Sequence, residues 1–341
     1  MRLETVLAVT GGRLLNTPFI SGFETVATKL KKVHRGSLFV AKEREDAEEA
    51  VKLGAYGIIT DLNIPATDQE IAWIHVDSLA ETLPKLLRLW LVENPRKIRY
   101  VPASTLEFIR ELNYDHGVLP LENDDGKRSE QLFDSSPLQT ILCDDIPFIE
   151  HIGYLLETAD SDPVEYSVVS ESIFETSIIL EGHYHRRLPL ASCMLSSFMN
   201  AVGVLKHLSA GFTLQHLRHT PSFQPVFVNR HGEKIPFGAS EHVLIFADNF
   251  DNCRCFRVLD DVRWIERKVC IPTQIKFECD IKTPIYQYDS LKSLLSIIRK
   301  DFSKPAYTII AGLKEEIFFE KIQRERISSE TTIFKGFDFN A

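Results

Sequence analysis

Short apolar runs alternate with amphipathic segments along the first part of the chain. The runs at residues 37–41 and 56–60 predict buried strands, and the segment 46–53 between them predicts a helix that stops at Gly54. Another apolar run at 72–76 predicts a third strand. The pattern therefore predicts a strand–helix–strand unit with short connections.

Leucines recur at helical spacing over residues 79–92, and either Asp77 or Ser78 can cap the helix that they predict. Asn94–Pro95 marks a boundary after it, because the residue before a proline is pushed out of helical geometry. Residues 98–112 then have the layout of a strand, a short turn and a helix. The polar, turn-rich stretch 119–137 predicts a surface loop.

The rest of the chain continues to alternate strand-like and helix-like segments. Predicted strands fall at residues 164–169, 175–180, 224–228, 242–247 and 306–310, and predicted helices at 191–208, 291–298 and 314–324. The run 242–247 is apolar throughout, which is typical of a strand covered on both faces. This alternation predicts an α/β protein with mostly parallel sheets, and a length of 341 residues predicts two or three domains.

Composition narrows the possible partners and the compartment. The net charge of −9 argues against a nucleic-acid partner, and a local cluster of cations is interpreted as a solvated surface segment. No apolar run reaches about 18 residues, so no membrane insertion is predicted, and the N-terminus is a poor signal peptide. The six cysteines are scattered, unlike a secreted disulfide framework, which predicts a cytoplasmic protein. The cationic cluster comprises Lys29, Lys31, Lys32, His34 and Arg35.

The turn within residues 98–112 lacks the chemistry of an ATP-binding loop. A P-loop reads G-x-x-x-x-G-K-[ST], in which glycines let backbone N–H groups close around phosphate and a lysine reaches the β- and γ-phosphates. Here the turn is Pro102-Ala103-Ser104-Thr105, with neither glycine nor lysine.

The first part of the chain resembles the uridine-nucleotide domain of the Mur ligases. In that family the domain opens with a segment of the form T-D-S-R-x-V-x-x-G-x-L-F-V-A. Residues 28–41 read TKLKKVHRGSLFVA, so the V-x-x-G-x-L-F-V-A half matches, while the Asp-Ser-Arg becomes Lys29-Leu30-Lys31. The resemblance implies a ligand site for a UDP-linked substrate, with altered contacts. The residues it implies are Thr28, Lys31, Gly36, Ser37, Leu38 and Phe39.

Fainter similarity extends to the C-terminus. Where the family has D-x-Y-N-A-N-P after a strand, this chain places Asp248, Phe250 and Asp251, of which Asp248 matches and Phe250 stands for the tyrosine. The family's K-G-S-R turn corresponds to residues 311–314, AGLK. The resemblance implies three domains: a small N-terminal uridine-nucleotide-type domain (1–94), a reduced central ATPase-like domain (95–220) and a Rossmann-like C-terminal domain (221–341).

The hypothesis that follows is a catalytically inactive Mur ligase homologue without a cofactor. It would bind a UDP-muramyl peptide or another UDP-sugar, or a protein of peptidoglycan synthesis. One alternative is a divergent but active ligase that uses ATP and Mg²⁺, with Gly126-Lys127 holding phosphate. Another is an interaction scaffold without a ligand.

Other clusters have structural interpretations. Residues 9–12, VTGG, predict a turn, and the doublets Asp144-Asp145 and Asp260-Asp261 predict turn or cap residues. His183 and His185 could share one face of a strand, but two arginines follow them, which disfavours a metal. Cys253 and Cys255 have C-x-C rather than C-x-x-C spacing, so neither a redox nor a zinc role is predicted.

Overall fold

The computed structural model of the chain describes residues 1–113, 115–247, 253–263, 265–298 and 304–323. The chain divides into two compact units. The segment 95–220, predicted as one central domain, contributes residues to both units. The first unit comprises Met1–Pro102, Asn113–Asp160 and Leu208–Gly211, and the second comprises Ala103–Leu112, Ser161–His207 and Phe212–Ala341.

The first unit opens with a sheet whose strand order is β1-β5-β4-β3-β2. Strands β2 to β5 are parallel, and β1 pairs antiparallel with β5. The predicted strand–helix–strand unit is confirmed as β3, α2 and β4. The strands are β1 Arg13–Leu14, β2 Thr25–Ala27, β3 Ser37–Val40, β4 Gly57–Thr60 and β5 Ala72–His75, with helices α1 Leu3–Thr10, α2 Arg44–Lys52 and α3 Leu79–Glu93.

The ends of these helices follow from their flanking residues. Of the two predicted caps of α3, Ser78 is the one used, because its hydroxyl accepts a hydrogen bond from Glu81 N at 3.4 Å. Helix α1 ends at Gly11, whose positive φ of 69° lets its N–H reach Leu7 O. Of the turn predicted at residues 9–12, Gly11 is confirmed, whereas Val9 and Thr10 belong to α1.

A small parallel sheet of order β6-β8-β7 also lies in the first unit. The surface loop predicted over 119–137 is wrong, since the structure places strand β7 and helix α5 there. Asp124 caps α5, and Leu132 and Phe133 bury its apolar face, with the Phe133 ring centroid 5.5 Å from that of Trp90. The elements are β6 Lys97–Tyr100, β7 Val118–Pro120, β8 Thr140–Cys143, α5 Asp125–Asp134 and α6 Ile146–His151, while α4 Ala103–Leu112 belongs to the second unit.

The second unit contains an antiparallel sheet of order β11-β10-β9 and a buried helix, α7, which confirms the elements predicted for these segments. Every residue of β9 is exposed. Helix α7 follows a 3₁₀ turn at Ser192–Met194 and packs against α4. The elements are β9 Tyr166–Glu171, β10 Thr176–Leu180, β11 His183–Leu188 and α7 Leu195–His207.

The C-terminal sheet of the second unit has the order β12-β13-β16-β14-β15 and is parallel except for β12. Strand β13 lies inside this sheet and all its residues are buried, as its apolar sequence predicts. The elements are β12 Gln224–Phe227, β13 His242–Ala247, α8 Cys253–Arg257, β14 Glu266–Pro272, β15 Ile285–Tyr288, α9 Leu291–Ile298, β16 Ala306–Ala311 and a helix at 315–323.

These sheets and helices confirm the predicted α/β class. Among the residues that the structure describes, no helix is both long enough and apolar enough to span a bilayer.

Candidate functional site

The strand and helix predicted at residues 98–112 are present as β6 and α4, joined directly by residues 101–102, while Ala103, Ser104 and Thr105 of the predicted turn lie in α4. Hydroxyls in the first turn of α4 form hydrogen bonds with side chains of α7, in the same unit. Ser104 Oγ and Ser197 Oγ share a hydrogen bond at 2.9 Å, and Asn200 Nδ2 donates to Thr105 Oγ1 at 3.1 Å. With no glycine or lysine in the turn and its hydroxyls holding α7, these residues do not fit the phosphates of ATP.

Helix α4 also carries a buried carboxyl group. Ser222 N and Ser222 Oγ donate to the two oxygens of Glu107 at 3.1 and 2.9 Å. Burial raises the pKa of Glu107 above its ordinary range, and the hydrogen bonds from Ser222 oppose that rise. The carboxyl therefore anchors Ser222 to α4 and has no solvent-facing role.

Gly126 and Lys127 lie in the first turn of α5, and Lys127 is exposed. The carboxylate of Asp124 accepts a hydrogen bond from Lys127 N at 2.9 Å. The backbone N–H at this position is thus already paired with an acid, which is unfavourable for phosphate. Phosphate binding by this pair stays a prediction of the active-ligase alternative.

The ligand residues implied by the N-terminal resemblance divide into two groups. Gly36, Ser37, Leu38 and Phe39 are buried, and the side chains of Leu38 and Phe39 pack in the hydrophobic core. Leu38 and Phe39 enter different hydrophobic clusters, and Ser37 Oγ accepts from His34 N at 3.1 Å. Gly36 has φ +97°, a backbone conformation that L side chains rarely adopt, so this position favours glycine.

Thr28 and Lys31 lie outside that interior. Lys31 is exposed in a 3₁₀ turn, and Thr28 follows β2 directly. The hydroxyl oxygen of Thr28 is buried and has no hydrogen-bond partner among the described residues. Ligands of α/β proteins bind beyond the carboxyl ends of parallel strands, which is where Thr28 lies.

Two lysines join Thr28 at this end of the sheet. Lys29 follows β2 and Lys42 follows β3. We call Thr28, Lys29 and Lys42 the N-terminal edge, because they lie at one edge of the sheet formed by the N-terminal part of the chain. Lys29 Nζ lies 3.3 Å from Asp134 Oδ2, and Lys42 Nζ lies 2.6 Å from Glu130 Oε1. Both acids come from α5, and both lysine side chains remain half-exposed. The edge combines two cations with a buried, unpaired hydroxyl, which suits an anionic ligand that can displace the acids.

Sequence reasoning missed the contribution of Lys42 to this edge, although a signal was available. Lys42 comes two residues after a correctly predicted strand, and the carboxyl ends of parallel strands share one edge of a sheet. The acids that pair with Lys29 and Lys42 lie about ninety or more residues further along the chain, within the segment interpreted as a loop.

Three of the four residues in the acidic doublets, Asp144, Asp145 and Asp260, have structural roles. Arg128 of α5 is buried and reaches Asp145 Oδ2 at 2.7 Å and Asp144 Oδ1 at 3.5 Å. Asp145 also caps α6 by accepting from Phe148 N at 2.8 Å. Asp260 accepts from Lys282 N, Thr283 N and Thr283 Oγ1, which fixes the segment before β15.

The C-terminal candidates Asp248, Phe250 and Asp251 lie outside the described residues. Lys314, part of the segment matched to the K-G-S-R turn, lies beyond the carboxyl end of β16. It lines a cavity of about 340 Å³ together with Arg218, His219 and Glu111. Burial lowers the pKa of His219, whose Nε2 lies 2.7 Å from Phe174 O. This cavity offers both cations and acids to a small polar ligand.

The histidine and cysteine motifs have different outcomes. His183 and His185 lie in β11, and among the described residues no group of three or more His, Cys, Asp or Glu is arranged to hold a metal ion. Cys253 forms a disulfide with Cys279. The sequence analysis did not predict this pairing, because the fold brings together two cysteines that are 26 residues apart in the sequence.

No protein-family profile and no curated protein matches the sequence. Among solved structures, the chain is similar to MurF ligase from Thermotoga maritima in complex with ADP, at 12% identity and a TM-score of 0.48, over 91% of this chain and 99% of that one. It is also similar to the UDP-N-acetylmuramoylalanyl-D-glutamyl-2,6-diaminopimelate–D-alanyl-D-alanyl ligase from Acinetobacter baumannii, at 12% identity and a TM-score of 0.47, over 96% and 98%.

Proposed function

We propose that this chain is a Mur-ligase-like protein that binds a UDP-sugar or UDP-muramyl peptide without using ATP to ligate it. The observation that carries the proposal is the first turn of α4. Its hydroxyls are engaged by Ser197 and Asn200, and the preceding turn supplies neither the glycines nor the lysine that phosphoryl transfer requires. The protein would then keep the substrate-binding role of such a fold and lose its chemistry.

The N-terminal edge is the proposed place of binding. A diphosphate there would accept charge-assisted hydrogen bonds from Lys29 and Lys42, and a ligand oxygen or N–H would pair with the buried Thr28 hydroxyl. The resemblance over residues 28–41 points to a UDP group as the anionic part. Lys31, exposed beside the edge, would add further positive charge.

Paired calorimetric titrations test this function. The full chain is titrated with UDP-MurNAc-tripeptide and, separately, with Mg-ATP. We expect binding of the first and not of the second, and Lys29→Ala should weaken binding roughly tenfold, which corresponds to about 1.4 kcal/mol. The exposed Lys97, at the start of β6, provides the matched control, and Lys97→Ala should bind as the unchanged chain does.

Three results would contradict parts of the proposal. ATP-dependent amide formation by the purified protein would overturn it in favour of the active ligase. Tight binding of the UDP ligand that is unaffected by Lys29→Ala and Thr28→Val would place the site elsewhere. Failure to bind either titrant would favour the scaffold.

The scaffold alternative has its own supporting observation. Residues 36–41 are all buried, and the two ion pairs to α5 already occupy both lysines of the N-terminal edge. A closed edge of this kind would leave the protein to act through a partner in peptidoglycan synthesis. Co-purification of a defined partner with the full chain, undiminished by Lys29→Ala, would support this alternative.

A further inference from the structure

Two cysteines that do not belong to the disulfide lie against each other in the second unit. Cys193 lies in the 3₁₀ turn before α7, and Cys255 lies in the middle of α8. Their sulfur atoms are 2.7 Å apart, and both residues are buried. Since a disulfide bond is about 2.05 Å long, a shift of less than an ångström would bring these sulfurs to bonding distance.

One of the two cysteines lines a cavity that is open to solvent. Cys193 lines a cavity of about 400 Å³ together with Ser196, Arg254 and Arg257. Asp261 and Glu171 line it as well, so the cavity carries both charges. A small disulfide or peroxide could therefore reach Cys193 without unfolding of the chain, whereas Cys255 is the more deeply buried of the pair.

The surroundings of Cys193 determine how fast it reacts. Burial and the neighbouring Cys255 thiol raise the pKa of Cys193, and the cation of Arg254 opposes that rise. Because the thiolate is the reactive form, oxidation should be slow at neutral pH and should accelerate as pH rises. The two cysteines are thus suited to be oxidised slowly, when the surrounding redox potential stays oxidising for a long time.

We propose that Cys193 and Cys255 are an oxidisable dithiol that a low-molecular-weight disulfide converts into a second intrachain disulfide. The Cys193 thiolate attacks the reagent, forms a mixed disulfide and releases one reagent thiolate. The Cys255 thiolate then attacks the Cys193 sulfur and releases the second reagent thiolate. The two protein protons end on the two released thiols, so the dithiol is oxidised by two electrons and one reagent disulfide is reduced to two thiols.

The new bond would join the 3₁₀ turn before α7 to α8. The two cysteines are 62 residues apart in the sequence, so the bond closes a long loop and restricts the unfolded chain. The existing Cys253–Cys279 bond holds the same helix α8 from its first residue. Oxidation would therefore fix α8 at two points in place of one.

The test uses the full chain with Cys253–Cys279 intact, equilibrated with glutathione disulfide and reduced glutathione at a series of ratios. Alkylation under denaturing conditions counts the thiols, and peptide mapping identifies each linked pair. We expect labelling to fall from four thiols to two, with Cys193 linked to Cys255 and with Cys143 and Cys270 still labelled. Linkage of Cys255 to any other cysteine, or four labelled thiols at every ratio, would overturn the proposal.

Variants and a stability measurement complete the test. Cys193→Ser and Cys255→Ser should each abolish the two-thiol loss, while Cys143→Ser, which removes a buried thiol from the first unit, should keep it. Oxidation should raise the unfolding midpoint of the unchanged chain and of Cys143→Ser only. If a serine variant does not fold, the peptide map of the unchanged chain still decides the outcome, because it requires no substitution.

Discussion

Each of the two units holds one of its helices in place through side-chain interactions, and the kind of interaction differs between the units. In the first unit, charged groups hold α5: Arg128 reaches Asp144 and Asp145, and two acids of α5 reach Lys29 and Lys42. In the second unit, hydroxyl and amide groups hold α4 against α7, and one buried carboxyl group holds Ser222. The charged attachment depends on burial and on salt, whereas the neutral one depends on hydrogen-bond geometry.

The largest expected effect is at Arg128. Its side chain is 5% exposed and that of Asp144 is 8% exposed, so Arg128→Met would leave a buried carboxylate without its cation. We expect a loss of about 3–5 kcal/mol from the free energy of unfolding. Urea denaturation measures it. Arg44→Ala, which breaks an exposed pair with Glu48, is the control and should cost no more than about 0.5 kcal/mol. If the two variants lost the same free energy of unfolding, burial would not explain the effect at Arg128.

A smaller effect is expected from the neutral attachment of the second unit. Glu107→Ala would leave Ser222 N–H buried without an acceptor, which should cost roughly 1–3 kcal/mol. Thr105→Val deletes only the acceptor for Asn200 Nδ2 and should cost about 1 kcal/mol. Both losses should change little between low and high salt. A strong salt dependence would show that charge, and not geometry, holds α4.

The pH dependence of stability separates Glu107 from the other carboxyl groups. Its folded pKa is raised above the ordinary value of 4.5, so the folded state binds the proton more tightly than the unfolded state does. Its contribution is fully present below pH 4.5 and is lost as pH rises through the folded pKa. Glu107→Gln should remove this decline in urea titrations at a series of pH values above 4.5. The exposed Glu70→Gln should leave the decline in place.

The same contrast explains what the sequence could predict. The strands β3, β4, β5 and β13 were predicted because each is a short apolar run that the sheet buries on both faces. Helix α5 was missed because it buries a charged residue, Arg128, whose partners Asp144 and Asp145 come 16 and 17 residues later in the sequence. A pattern of apolar residues cannot show that a charged residue is buried when the opposite charge that stabilises it lies far away in the sequence.

The site shows the same limit. Resemblance pointed to residues 28–41, yet three of the six residues that it implies for a ligand are buried residues of β3, and Gly36 is buried just before that strand. The edge residue Lys42 and the acids Glu130 and Asp134 become visible only when the parallel strands and α5 are placed. The Cys253–Cys279 pairing likewise depends on a fold that brings two scattered cysteines together.

The smallest expected effect on stability is also the one that tests the N-terminal edge most directly. The pairs Lys29–Asp134 and Lys42–Glu130 are partly exposed, so Glu130→Gln with Asp134→Asn should change the free energy of unfolding by at most about 1 kcal/mol. The same double variant frees both lysines for an anionic ligand, so affinity for UDP-MurNAc-tripeptide should increase. Glu48→Gln, which frees Arg44 on α2, should leave affinity unchanged.

A double variant that folds normally and binds no better than the unchanged chain would mean that the acids do not compete with the ligand. The edge would then be a structural contact, and the scaffold would become the better description of the first unit.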